Sequence, residues 1–230
     1  MDKNVGGPLA VDVLNLGGDW EPITDTLPQN PTLTALYLGG RNGDPVASDA
    51  IGDTIAGTVT YKYKGSGNIS DDANLPDCGE VVNTYMVTEI KIDYSDNDWP
   101  QVVFSVHKHN NNNHETSYPT YQPTITLPGG RGVSELLTNS ATATSAITKA
   151  TYTLKCDHVD EDPGGTHVAG ACYNGMETLE LSHIGTPSLT TTGWHATNDP
   201  KTRAGTAFDT VASSLEKYVD RETTTTTTTA

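Results

Sequence analysis

The 230-residue chain carries 29 Asp and Glu against 13 Lys and Arg, a formal net charge of -16 with His neutral. Such a surface repels a nucleic-acid backbone instead of releasing its counterions, which excludes direct nucleic-acid binding as the main function and suits a soluble surface past which nucleic acid moves without sticking. Hydrophobic residues make up 34% of the chain, enough for a modest core, and the length fits one large all-β domain or two small ones.

The opening stretch MDKNVGGP lacks the apolar run of a signal peptide, and no later run approaches the roughly 20 apolar residues of a membrane helix. Synthesis in the cytoplasm and no membrane partner are therefore expected. Strands are expected at residues 9–16 and 33–38, followed by a Gly- and Pro-rich loop over 39–45. Residues 1–50 thus read as an N-terminal arm or strand extension, reaching a neighbouring subunit or joining the same core.

The clearest strand covers 55–64, where Ile55, Gly57, Val59, Tyr61 and Tyr63 share one face and Thr58, Thr60, Lys62 and Lys64 the other. A long loop follows over 65–79. Residues 86–94 and 101–109 alternate in the same way around the turn-like Ser95-Asp96-Asn97-Asp98, which predicts a β-hairpin. A polar tip at 110–113 precedes further strands at 124–127, 150–157, 167–173 and 178–184.

Within 206–219 the period changes: Phe208, Val211, Ala212, Leu215, Tyr218 and Val219 recur at helical spacing, with Thr206 as an N-cap, which predicts a helix. The rival is a long strand placing Ala207, Val211, Leu215 and Val219 on one face with Asp209, Ser213 and Lys217. Residues 223–230 form a Thr-rich tail that cannot build a core. The expected fold class is mainly β, an antiparallel β-sandwich or barrel over 51–222 with one helix and long loops.

Three cysteines, Cys78, Cys156 and Cys172, form an odd set without a framework. Reduced thiols are expected in a cytosolic product, and Cys156 with Cys172 is the one plausible disulfide. The pair also lies near His158 and His167, ligand types that suit tetrahedral zinc, although the spacing fits no standard zinc module and a small buried thiol is the plainer reading. His107 and His109 flank Lys108, followed by His114; alternate residues on a strand share a face and two imidazoles there suit a metal, while an exposed strand end with spare histidines explains them equally simply.

Two acidic turns, Asp93, Asp96 and Asp98 and then Asp157, Asp160, Glu161 and Asp162, gather oxygens without the twelve-residue calcium-loop pattern, and hydrated turn residues account for them. No Gly-x-Ser-x-Gly, His-Glu-x-x-His or phosphate-cradling Gly-x-x-x-x-Gly-Lys occurs. The chain reads as a non-enzyme: no catalytic, cofactor-binding or metal-binding residue is assigned and no cofactor is expected. Trp20, Trp99 and Trp194 sit beside polar or turn residues, where they close the end of a sandwich or stack on sugars.

The short Thr-rich strands, long loop, acidic charge and single expected helix between Ile55 and Val219 resemble the tail tube and other virion structural proteins of tailed bacteriophages. That resemblance implies rings of β subunits stacked around a negatively lined channel. The leading expectation is a self-assembling structural subunit located in the virion, with further copies of itself and other virion proteins as partners. The alternative is a receptor- or carbohydrate-binding virion or surface module using Trp and Tyr side chains.

Overall fold

The computed structural model describes residues 12–27, 32–39, 45–95, 98–109, 120–131, 146–161, 169–184, 193–198 and 210–219. Where apolar and polar side chains alternate, the chain forms strands: β1 (Trp20–Asp25), β2 (Thr32–Gly39), β3 (Pro45–Tyr63), β4 (Val81–Val82), β5 (Tyr85–Ser95), β6 (Gln101–His109), β7 (Ala146–Glu161), β8 (Ala169–Ile184), β9 (His195–Asn198) and β10 (Thr210–Tyr218). Among the described residues these ten make one antiparallel sheet, with the path β1-β3-β6-β5-β7-β8-β10-β9, β2 paired to β3 and β4 to β5. Among the described residues the path is open and does not close into a barrel, so the architecture is mainly β and sandwich-like.

The 19-residue β3 is the spine of one flank. Its first half pairs with β2, its second half with β1, and β6 runs along its other edge from Thr54 to Lys62. The division expected after residue 50 falls inside this strand. The expected hairpin is present as β5 and β6, in register at Ile90 with Phe104 and Ile92 with Val102.

One face of the sheet is apolar. Val59, Tyr61, Tyr63, Ile90, Ile92, Tyr94, Val102, Phe104, Tyr152, Leu154, Leu179, Leu181 and Leu215 are buried there. Irregular segments cover this face by inserting Leu14, Leu16, Ile69, Tyr121, Ile125 and Leu127. Gly17 and Gly18, at φ 63° and 60°, turn the first of these segments into β1, a conformation that side-chain-bearing residues rarely adopt.

The segment expected to be a helix is the strand β10, paired with β8 from Thr210 opposite Ile184 to Tyr218 opposite Met176. The rival alternating face is the one used: Leu215 is buried, Val219 packs against the core, and Tyr218 on the other face is 72% exposed. The helical spacing was incidental, because pairing with β8 along one edge, and with β9 at Ser214, Leu215 and Glu216 along the other, gives the backbone ladder partners in place of the internal ones of a helix. Thr210, Val211, Ser213 and Ser214 also suit a strand better than a helix.

Residues 124–127 are likewise not a strand, since the Thr124 backbone N–H donates to the Glu177 carboxylate instead of to a ladder. Residues 12–16 of the first expected strand are irregular and packed on the core. The long loop at 65–79 contains a single 3-10 turn, Ile69–Asp71. Residues 1–11, the 110–113 tip, His114, His167, Asp96, Asp162 and the tail at 223–230 lie outside the described residues.

Candidate functional site

Cross-strand register lays mostly polar side chains in rows on the face opposite the core. One row runs Thr60, Val103, Lys91, Thr153, Thr178, Glu216 across β3, β6, β5, β7, β8 and β10. The next runs Lys62, Gln101, Asp93, Thr151, Glu180, Ser214 over the same strands. Thr fills these positions because its branched Cβ packs on a pleated surface while its hydroxyl remains satisfied. Thr151 donates to Asp93 at 2.7 Å, and the Lys91 ammonium stands 3.1 Å from the same carboxylate.

Beyond these rows exposed apolar side chains stand among polar ones such as Lys155 and Asp157. Val159 on β7 is 45% exposed, Tyr173 on β8 37%, and Tyr218 closes β10. Ile23, in the bulged middle of β1, is the exposed large apolar side chain at the opposite margin. The sheet thus offers two end strands, a wide polar wall and apolar side chains near both margins.

Among the described residues the core side holds one buried acid. Glu177, with no exposed surface, accepts from the Tyr152 hydroxyl and from the Thr124 backbone N–H, each at 2.6 Å, and also from the Thr124 hydroxyl. Burial first, and the Glu177 charge second, push the Tyr152 phenol well above its ordinary range. The Lys217 ammonium reaches the Thr124 hydroxyl at 2.9 Å from β10. This clasp fixes residues 120–131 on the sheet beside Tyr121, which exchanges two backbone hydrogen bonds with Cys78 and lies on Gly175 where a Cβ would stand.

Next to it lie the three cysteines. Cys156 and Cys172 are joined as a disulfide across β7 and β8, with Cα atoms 5.5 Å apart, which corrects the expectation of reduced thiols. The physical reason is register: Cys172 faces His158 across the ladder, two residues from Cys156. Cys78 remains a free buried thiol, its Sγ 3.3 Å from the Cys156 Sγ, and it donates to the Thr88 carbonyl at 3.2 Å. Met86 places its thioether 3.9 Å from Cys172.

His107 is brought against His158, with ring centroids 4.3 Å apart. Of the residues weighed for zinc, Cys156 and Cys172 are engaged in the disulfide and His167 lies outside the described residues; among the described residues no three His, Cys, Asp or Glu side chains form a metal-holding group. The acidic turns are engaged separately. Asp93 holds Thr151 and Lys91, Asp98 holds the Trp99 backbone N–H and Lys62, and Asp157 accepts from Asn174. The Trp99 N–H, followed by Lys62, keeps the Asp98 carboxyl below its ordinary value.

Trp20 and Trp194 are buried, while Trp99 is half-buried with the Arg131 guanidinium 5.2 Å from its ring. Glu177 and the place of Cys78 were not anticipated from the sequence. The signal for Glu177 was its parity: it alternates with Leu179 and Leu181, so a carboxylate at that position demanded partners. The chain matches no protein-family model and no curated protein sequence.

Proposed function

We propose that the chain is a self-assembling structural subunit of a virion or tube, of the tail-tube kind, with other virion proteins as its further partners. The observation that carries this reading is the open antiparallel sheet, six of whose strands present rows that are polar but for Val103 and whose path ends in β1 and β9. An end strand presents a row of backbone donors and acceptors that templates pairing with another chain, and identical chains joined head to tail form rings where the rotation between copies closes and open filaments where it does not. A polar wall on a chain of net charge -16 suits a channel past which phosphate backbones slide. The reading assigns no catalytic residue, no membrane partner and no specific nucleic-acid contact.

The alternative, a receptor- or carbohydrate-binding module, keeps one of its three tryptophans: Trp99 is half-buried beside Arg131, whereas Trp20 and Trp194 belong to the core. Negative-stain electron microscopy and light scattering of the purified full chain separate the two readings. Rings, tubes or filaments are the expected result. A monomer that persists at millimolar concentration would remove the assembly reading.

A further inference from the structure

We propose that Cys78, Cys156 and Cys172 form one thiol–disulfide exchange unit with two interchangeable pairings, Cys156–Cys172 and Cys78–Cys156. The geometry is the warrant. Three sulfurs from three separate parts of the chain meet in one buried place: the loop before β4 supplies Cys78, β7 supplies Cys156 and β8 supplies Cys172. The free sulfur stands 3.3 Å from one sulfur of the existing disulfide, already at the distance from which exchange begins.

The step balances without an added oxidant or reductant. The Cys78 sulfur, as thiolate, bonds to the Cys156 sulfur; the Cys156–Cys172 bond breaks; its electron pair leaves with Cys172, which takes up the proton that Cys78 lost. One disulfide and one thiol are present before and after. The crosslink moves from within the β7–β8 hairpin to a staple between the 75–80 loop and β7, and the outer part of that hairpin, which carries Val159 and Tyr173, loses its covalent clamp.

Burial pushes the Cys78 thiol up to about 12, which makes exchange slow at neutral pH and allows each pairing to be trapped by acid quench. The unfolded chain has the opposite preference from an exchange unit. Cys156 and Cys172 are 16 residues apart and Cys78 and Cys156 are 78 apart, so loop closure alone disfavours the longer pairing roughly tenfold once the fold is lost. A Cys78–Cys156 bond above that fraction, without the Cys78–Cys172 bond that an unfolded chain forms about as readily, therefore reports the folded contact and not scrambling.

The test is a non-reducing peptide map of the full-length protein after incubation at pH 9 under folded conditions, acid quench and alkylation of free thiols. Both Cys156–Cys172 and Cys78–Cys156 peptides are expected in the wild type. Cys172→Ser, oxidised in a glutathione buffer, is expected to form Cys78–Cys156, and Cys78→Ser to hold only Cys156–Cys172. Wild-type protein that retains Cys156–Cys172 alone through the pH 9 incubation overturns the proposal, a reading that stands even where Cys172→Ser does not fold. Folded Cys172→Ser whose two remaining thiols are both alkylated overturns it as well.

Discussion

Beside β1, β3 and β6 the sheet itself packs ring on ring, with Trp20 5.0 Å from Tyr63 and 5.9 Å from Phe104, and Tyr61 5.8 Å from Phe104. There the covering segment is tied to the rings through the Tyr61 hydroxyl, which accepts from the Leu14 N–H at 3.0 Å and donates to Asp12 at 2.8 Å. Beside β7, β8 and β10 it is held by aimed donors on Glu177 and by sulfur contacts around the disulfide. The ring cluster is an area effect with loose directional demands, since edge-to-face rings tolerate a range of angles, and the Tyr61 hydroxyl adds the directional contact on that flank. The closure on Glu177 is directional, because a buried carboxylate stripped of its partners costs far more than its pairing contributes. The two flanks should therefore respond oppositely to shape-preserving and shape-destroying substitutions.

The largest effect is expected from Phe104→Ala, at about 3–5 kcal/mol of stability in urea unfolding, with Phe104→Leu costing only ~1 kcal/mol. Equal costs for the two would break the area account of that flank. On the other flank Glu177→Gln, which keeps the shape and removes the charge, is expected to cost about 2 kcal/mol and Tyr152→Phe about 1 kcal/mol. A double-mutant cycle of these two should show coupling of ~1 kcal/mol, whereas Glu177→Gln combined with Tyr61→Phe should add to within about 0.5 kcal/mol. Coupling across the flanks as strong as within the clasp would end the distinction between them.

Alkaline pH sharpens the contrast more gently. Burial raises the Tyr63 phenol from 10.0 to about 12, and raises Tyr61, Tyr94 and Tyr152 as well. Since the folded values lie above the unfolded ones, this contribution is complete below pH 10.0 and is lost as pH climbs toward about 12. The melting temperature should be level from neutrality to pH 10 and fall beyond it. Tyr63→Phe should make that fall shallower, and an unchanged slope would show that the phenol is not protected in the fold.

How much of this was legible follows from the kind of closure. The faces of 55–64 and the β5–β6 hairpin could be read directly, since Val59, Tyr61 and Tyr63 or Ile90 and Ile92 announce a buried side by alternation alone. The strand β10 was not, because Leu215 and Val219 fit a period of four in either conformation and only pairing with β8 decides between them. The clasp and the sulfur cluster were hidden for a related reason. Thr124 and Glu177 lie 53 residues apart, and Cys78 and Cys156 78 apart, so no local pattern connects them. The Cys156–Cys172 pair was the exception, being close in sequence.

The outer face offers the smallest expected effect and the most direct bearing on assembly. Lys91 and Asp93 keep 41% and 33% of their side chains exposed, and a pair so open to water contributes little, about 0.5 kcal/mol or less. Asp93→Asn retains an acceptor for the Thr151 hydroxyl, which donates to it at 2.7 Å, so unfolding should shift by no more than about that amount. If copies meet through the end strands β1 and β9, the substitution also leaves rings or tubes intact, because Asp93 lies in the middle of the wall between them. Loss of assembly at unchanged stability would move the contact between copies from the edges of the sheet to its face.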